Sequence, residues 1–303
     1  MEKNQFLIVT PVLNGEKFIS ECISSVKLAF SNFSYKHIIV DGGSTDNTIK
    51  IVEENSHNNL ILIKAPDTTM YQAINKGIYF IEADYFYQLN ADDLVLPGIP
   101  DLVYKYFKND NTIDVVSGAI LSVNIETNYC KFKVLLKNQF NINKIGVNLF
   151  VNQPSTFVRY NIMKEAGGFN ENFKYASDTE LWLKLIKKGY TFKRIDKCLS
   201  IDRVHSDCAA LSNCHIQELK IVRETYCPVN IFLPVVKLYN SILFLFTQLF
   251  AVIKANDFLP AGIKCFGTIF FRMYGIFFTT KRAGIILSYP FFKGVFGFKG
   301  RIC

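Results

Sequence analysis

The sequence predicts an α/β chain: a Rossmann-like, mostly parallel sheet with flanking helices, followed by an apolar and basic helical segment. Three observations predict it. Strand-like and helix-like pieces alternate between residues 6 and 120, the order that builds a parallel sheet covered on both faces. Pro11, Asp41, Asp67 and Asp92-Asp93 all stand just past apolar runs. Open sheets of this kind bind ligands at those strand ends. Composition then shifts abruptly after Pro228.

Each element has its own signal. Phe6 to Val9 is a continuous apolar run, as in a strand buried on both faces. Phe18, Ile19, Cys22, Ile23 and Val26 recur at helical spacing. His37 to Val40 is a second strand closed by Asp41-Gly42-Gly43, and Ser44 or Thr45 is placed to cap the helix that follows. Leu60 to Ile63 reads as a strand, Tyr71 to Ile81 as a helix, and Tyr85 to Leu89 as a fourth strand. Residues 121 to 150 carry a strand and a lysine-bearing connection. Ser155 to Val158 suits a strand, and Asn161 opens a short helix ended by Gly167-Gly168. Ser177 and Glu180 have the S-x-x-E spacing of a capping box, which opens a helix stopped by Gly189 and makes Asp178 its first residue.

Charge is distributed unevenly. Of the 34 basic and 26 acidic residues, nine and one respectively lie in residues 229 to 303. The preceding 228 residues therefore hold 25 of each, and the whole net charge of +8 belongs to the C-terminal segment. Basic residues interleaved there with Phe, Leu, Ile and Tyr suit an anionic membrane surface rather than nucleic acid. Val229 to Ile253 is long enough to cross a bilayer, but Pro234 and Lys237 favour a helix lying in the interface. Two regions follow, a folded domain over 1–228 and a membrane-associating helical region over 229–303. The opening MEKNQFLIVT has neither the basic nor the long apolar stretch of a secretory leader. The eight cysteines form no CxxC pair, as in a reducing compartment. A cytoplasmic location at the inner face of the cell membrane is expected. His205, Cys208, Cys214 and His215 fit no common zinc spacing. No GxGxxG or GxxxxGK[ST] follows the first strand, which leaves dinucleotide and P-loop readings without support.

Several acids are placed to do chemistry. Adjacent Asp92 and Asp93 at a strand tip can take a hard divalent cation, Mg²⁺ or Mn²⁺, whose remaining positions go to water and phosphate oxygens. A turn before Pro97-Gly98 is the plainer account of the same pair. Asp41 precedes two glycines that let a ligand approach the backbone, and it serves equally as a cap. Asp178 sits where a helix macrodipole stabilises an acid, which by itself would lower its pKa.

Five segments, "TPVLNGEKFISECISSV", "HIIVDGGSTDNTIKIV", "MYQAINKGI", "LNADD" and "GGFNENFKYASDTELWLKL", occur in the order found in family 2 glycosyltransferases. The chain resembles that family over about residues 5 to 210. The resemblance implies a GT-A fold and inverting transfer of a hexosyl-type sugar from a nucleotide-diphosphate donor. It places Thr10, Pro11, Asn14 and Glu16 in the nucleotide-binding first loop, Asp41 on the base, and Asp67 on the donor side. Asp92 and Asp93 match the motif for metal and diphosphate, and Asp178 matches the catalytic base. This sequence departs from the family where Asp67 is followed by Thr68-Thr69-Met70-Tyr71-Gln72, which lacks a glycine and a second aspartate, and where Ser177 precedes Asp178. With the membrane-facing tail, a lipid-linked saccharide acceptor in bacterial surface-polysaccharide assembly is the expectation. A nucleotidyltransferase, or a non-catalytic nucleotide-sugar-binding protein, would be the rival readings.

Overall fold

A computed structural model describes residues 4–127, 129–133, 151–206 and 213–226. The expected C-terminal membrane region, the whole of the 134–150 connection and Cys208 lie outside these residues. Nine strands form one sheet in the order β3-β2-β1-β4-β8-β6-β9-β5, with β7 paired to β6. The strands are β1 (Asn4–Val12), β2 (Tyr35–Asp41), β3 (Leu60–Lys64), β4 (Ala83–Gln88), β5 (Leu94–Val95), β6 (Val115–Asn124), β7 (Tyr129–Lys133), β8 (Thr156–Arg159) and β9 (Phe192–Val204). The helices are α1 (Ile19–Ala29), α2 (Thr48–Glu54), α3 (Met70–Ile78), α4 (Ile99–Asn109), α5 (Tyr160–Ala166), α6 (Ser177–Lys187) and α7 (Asn213–Tyr226).

The parallel expectation holds for half of the sheet. β3, β2, β1 and β4 run parallel, as the β-α-β-α order requires. Beyond β4 the sheet is mixed: β8 is antiparallel to β4 and β6, β5 to β9, and β7 to β6, while β6 and β9 are parallel. The reason is connectivity. The short apolar strand β8 enters beside β4 from the opposite end, so the doubly wound pattern stops there.

Side-chain alternation along β1 builds two cores. Phe6 and Ile8 face α1 and α4 with Val26, Phe30, Val103 and Phe107. Leu7 and Val9 face the other layer, where Ile74 and Ile78 of α3, Met163 of α5 and Leu181 and Leu185 of α6 are buried. Each fully buried Leu, Ile or Phe contributes roughly 1.5–3 kcal/mol, so these layers hold the sheet and leave its carboxyl edge free for function. α3 lies very close to β1: a Cβ at Gly77 would come within 2.5 Å of Val9 Cγ1.

Three helix starts differ from expectation. α2 begins at Thr48 with Asn47 at its N-cap, not at Ser44 or Thr45, because both of those are engaged by the first loop. The Ser177–Glu180 capping box does not form. Ser177 already lies inside α6, its hydroxyl has no protein partner, and Glu180 is drawn into the interior by the Tyr226 hydroxyl. Asn161 likewise falls within α5, whose N-cap is Arg159 and whose end is Gly167 in the left-handed conformation.

Candidate functional site

The loops after β1 and β2 are clasped together at the carboxyl edge. Asn14 N–H donates to Ser44 Oγ (2.9 Å), Gly15 N–H to Thr48 Oγ1 (2.7 Å) and Glu16 N–H to Asp46 Oδ2 (3.1 Å). In return Asn14 Oδ1 accepts from Thr45 N–H (2.8 Å) and Glu16 Oε2 from Asn47 N–H (3.0 Å). The polar atoms of Asn14 and Glu16 thus tie the two loops to each other. Thr10 lies deeper still: it is fully buried and its hydroxyl bonds His37 Nε2 at 2.9 Å, so it supports the loop from below. Pro11 is buried in register with Val40.

Asp41 ends β2 almost fully buried, and its carboxylate accepts from the N–H groups of Gly43 (3.0 Å) and Ser44 (3.1 Å). Gly43 adopts φ of 106°, a conformation that a side chain would strain. Among the described residues, Asn14 (φ 52°) and Asp67 (φ 62°) take positive φ without being glycine. Both flank Asp41, and held backbone outliers of this kind concentrate at ligand sites. Between them Leu13 is 61% exposed, and a Cβ on Gly42 would sit 3.8 Å from its Cδ1. Leu13 is not legible in the sequence, because a lone apolar loop residue carries no signal until its neighbours are known. Asp67 is exposed at the same edge. The departure that follows it has a structural account: Thr69 and Gln72 cap α3 reciprocally, with Thr69 N–H donating to Gln72 Oε1 at 2.9 Å.

Asp92 and Asp93 point to different places. Asp93 is 2% exposed, and its carboxylate accepts from Arg203 N–H (3.2 Å) and the Asn90 amide (3.3 Å). Burial first, then the charges of Asp92 and Asp202, push this carboxyl well above the usual range. Asp92 keeps 28% of its side chain exposed, and its Oδ2 lies 3.1 Å from His205 Nε2. Arg203 holds the turn in place. Its guanidinium bonds Glu21 and the Asp92 carbonyl and lies 4.8 Å over the Phe18 ring, while the His205 ring packs against the same ring at 5.0 Å, tilted by 30°. Arg203 and His205 reach the turn from the end of β9, a contact that the sequence did not reveal. Among the described residues no three ligating side chains converge. The single exposed carboxylate of Asp92 nevertheless fits Mg²⁺ or Mn²⁺, which commonly binds through one or two carboxylates plus substrate phosphates. His205 is placed to orient it.

Asp178 stands in the first turn of α6, half-buried. Its Oδ1 accepts from Thr179 N–H (2.6 Å) and lies 3.5 Å from the Tyr71 hydroxyl. Some of its surface reaches solvent, but most of its surroundings are protein. Burial raises the carboxyl above its ordinary value, against the lowering effects of the Thr179 N–H and of nearby His215. The macrodipole argument is therefore overridden, and the change suits a proton acceptor. Tyr71 stacks on Phe169 at 5.4 Å, and Asn75 bonds both Phe169 O and Glu171 Oε1 at 2.8 Å. α3 is in this way tied to the segment that carries Asp178.

Comparison with known proteins follows this geometry. The family model described as "Glycosyl transferase family 2" matches residues 7–165. A Staphylococcus aureus (strain COL) protein, TagX, provisionally named a glycosyltransferase, is 32% identical over 122 residues, 38% of this chain and 34% of its own length. The chain thus spans about a third of that relative. Two solved structures share the fold with TM-scores of 0.59. One is S. aureus TarS 1-349 in complex with UDP-GlcNAc, at 17% identity, covering 75% of this chain and 68% of TarS 1-349. The other is the mannosyltransferase PcManGT from Pyrobaculum calidifontis in complex with GDP-Man and Mn²⁺, at 15% identity, covering 97% and 84% respectively.

Proposed function

The chain belongs to glycosyl transferase family 2, and from that premise we propose that it moves a hexosyl-type sugar from a nucleotide-diphosphate donor to a saccharide acceptor with inversion. The observation that carries this reading is Asp178, a half-buried carboxylate whose pKa is lifted by burial. The Tyr71 hydroxyl of α3 lies 3.5 Å from it, and Asn75 of the same helix bonds Phe169 and Glu171 earlier in the segment that carries it.

Asp41, Gly42 and exposed Leu13 offer the base a carboxylate, an open backbone and an apolar wall. Asp92, oriented by His205, would hold Mg²⁺ or Mn²⁺. When bound, such a cation neutralises charge on the departing diphosphate. Asp178 takes the proton from an acceptor hydroxyl, whose oxygen then attacks the anomeric carbon opposite the leaving nucleotide. Configuration inverts because bond formation and departure occur on opposite faces. A cytoplasmic enzyme held at the membrane surface by its basic, apolar tail would meet a lipid-linked saccharide of surface-polysaccharide assembly there.

Asp178→Asn keeps size and hydrogen bonding but cannot accept a proton. Turnover should fall by roughly a hundredfold or more, with donor KM little changed. Unchanged turnover would remove Asp178 from the chemistry. Products should be free nucleoside diphosphate and glycosylated acceptor; pyrophosphate instead would mean nucleotidyl transfer.

A further inference from the structure

The segment leading into α6 is anchored by a single carboxylate from the last described helix. Glu218 of α7 accepts from three consecutive backbone N–H groups: Lys174 (2.9 Å), Tyr175 (2.7 Å) and Ala176 (2.9 Å). Backbone donors just before a helix need partners, and no side chain of α6's own N-cap supplies one. Glu218, from a distance of 42 to 44 residues, thus holds the N-cap residue Ala176 and the two residues before it. The charged acceptor makes these bonds stronger than neutral ones.

α7 is fixed at points above and below Glu218. One turn earlier, His215 comes close enough for its charge to act on Asp178. One turn later, Val222 is fully buried against Ala176, Leu183 and Ile186. At the far end the Tyr226 hydroxyl donates to Glu180. Residues 215, 218, 222 and 226 recur at helical spacing, so one face of α7 lies along α6. Asp178 is two residues beyond the last N–H that Glu218 holds.

We propose that Glu218 is a positioning residue for sugar transfer: its carboxylate fixes residues 174–176 and thereby sets where Asp178 meets the acceptor hydroxyl. The inference rests on Asp178 being the base. Errors of about 1 Å in such a group cost on the order of a hundredfold in rate, so a residue outside the reacting centre can govern turnover. A purely structural role would lower stability and leave the surviving folded enzyme at full speed.

The test uses the full chain, the nucleotide sugar it turns over fastest from a panel of UDP- and GDP-sugars, and membrane extract as acceptor. Glu218→Ala should lower kcat by about 10- to 100-fold, with donor KM within about twofold of wild type. Glu218→Gln, whose amide oxygen still accepts, should recover a large part of that loss. Amide exchange of residues 174–176 should quicken in Glu218→Ala and not in β1 to β4. In an Asp178→Asn background, Glu218→Ala should cost little more, because the group it positions is already disabled. Full kcat in Glu218→Ala beside a slow Asp178→Asn overturns the positioning role alone. Full rate in Asp178→Asn overturns the base assignment, and this inference with it. Should Glu218→Ala fail to fold, Glu218→Asp decides, its carboxylate being one methylene short of residues 174–176: lowered kcat together with faster exchange there supports the role, and any other combination overturns it.

Discussion

At Asp178 two effects oppose each other: the helix N-terminus stabilises the charged form, and burial penalises it. Burial wins, so the carboxyl titrates above its ordinary value. Since the proposed base must be deprotonated, activity should fall as pH drops through that raised pKa, and the acidic limb of kcat should lie above the ordinary aspartate value. The limb should vanish from the residual activity of Asp178→Asn; a limb that persists there belongs to another group. Asp92 and Asp93 look equivalent on paper, yet one faces solvent and the other the interior. That split was illegible in the sequence because Arg203 and His205 arrive from 110 and more residues away. If His205 orients Asp92, His205→Ala should weaken the apparent Mn²⁺ affinity by roughly 10- to 100-fold, measured as the Mn²⁺ concentration for half-maximal donor turnover. An unchanged Mn²⁺ response would detach His205 from the cation.

Among the elements, β1 to β4 were legible because strands covered on both faces must be apolar almost throughout. β9 was not, since its burial alternates irregularly along FKRIDKCLSIDRV and its pairing with β6 slips near Gly118 and Ala119. α4 and β5 also went unread, as IPDLVYKYFKN follows a loop that seemed to end the fourth strand. β2 carries a polar residue with a measurable consequence. His37 is fully buried, and its pKa is lowered to about 3, mainly by burial and secondarily by neighbouring His57. The unfolded chain takes up a proton near 6.5 and the folded chain does not until about 3. Stability from this site is therefore complete above pH 6.5 and is lost as pH falls towards 3, at about 1.4 kcal/mol per unit. Urea midpoints between pH 7 and 5 should decline accordingly, and His37→Gln should flatten the decline. An equally steep decline in that variant would place the effect elsewhere.

For the whole molecule, the family was readable from motif order, and the sugar, the nucleotide base and the acceptor of the proposed transfer were not, because those depend on contacts that a motif does not encode. No helix among the described residues is long and apolar enough to cross a membrane. The proposed attachment rests on the tail, where the net +8 resides. Each cation near an anionic leaflet contributes roughly 1 kcal/mol, screened by salt, and inserted apolar side chains add a part that salt does not weaken. The full chain should sediment with anionic vesicles, less with neutral ones, and high salt should release only a fraction. A fragment ending at Tyr226 should stay in the supernatant and still bind nucleotide sugar; co-sedimentation equal to the full chain would acquit the tail.

The clasp between the first two loops has a thermodynamic corollary. Ordering a flexible residue costs about 1–2 kcal/mol of backbone entropy, and five backbone N–H groups across this junction are already tied before any ligand arrives. The proposed nucleotide half of the site is thus preorganised, and donor affinity should not be taxed by loop freezing. Its calorimetric profile should resemble docking onto a rigid surface, with a heat-capacity change set by the area covered rather than by folding.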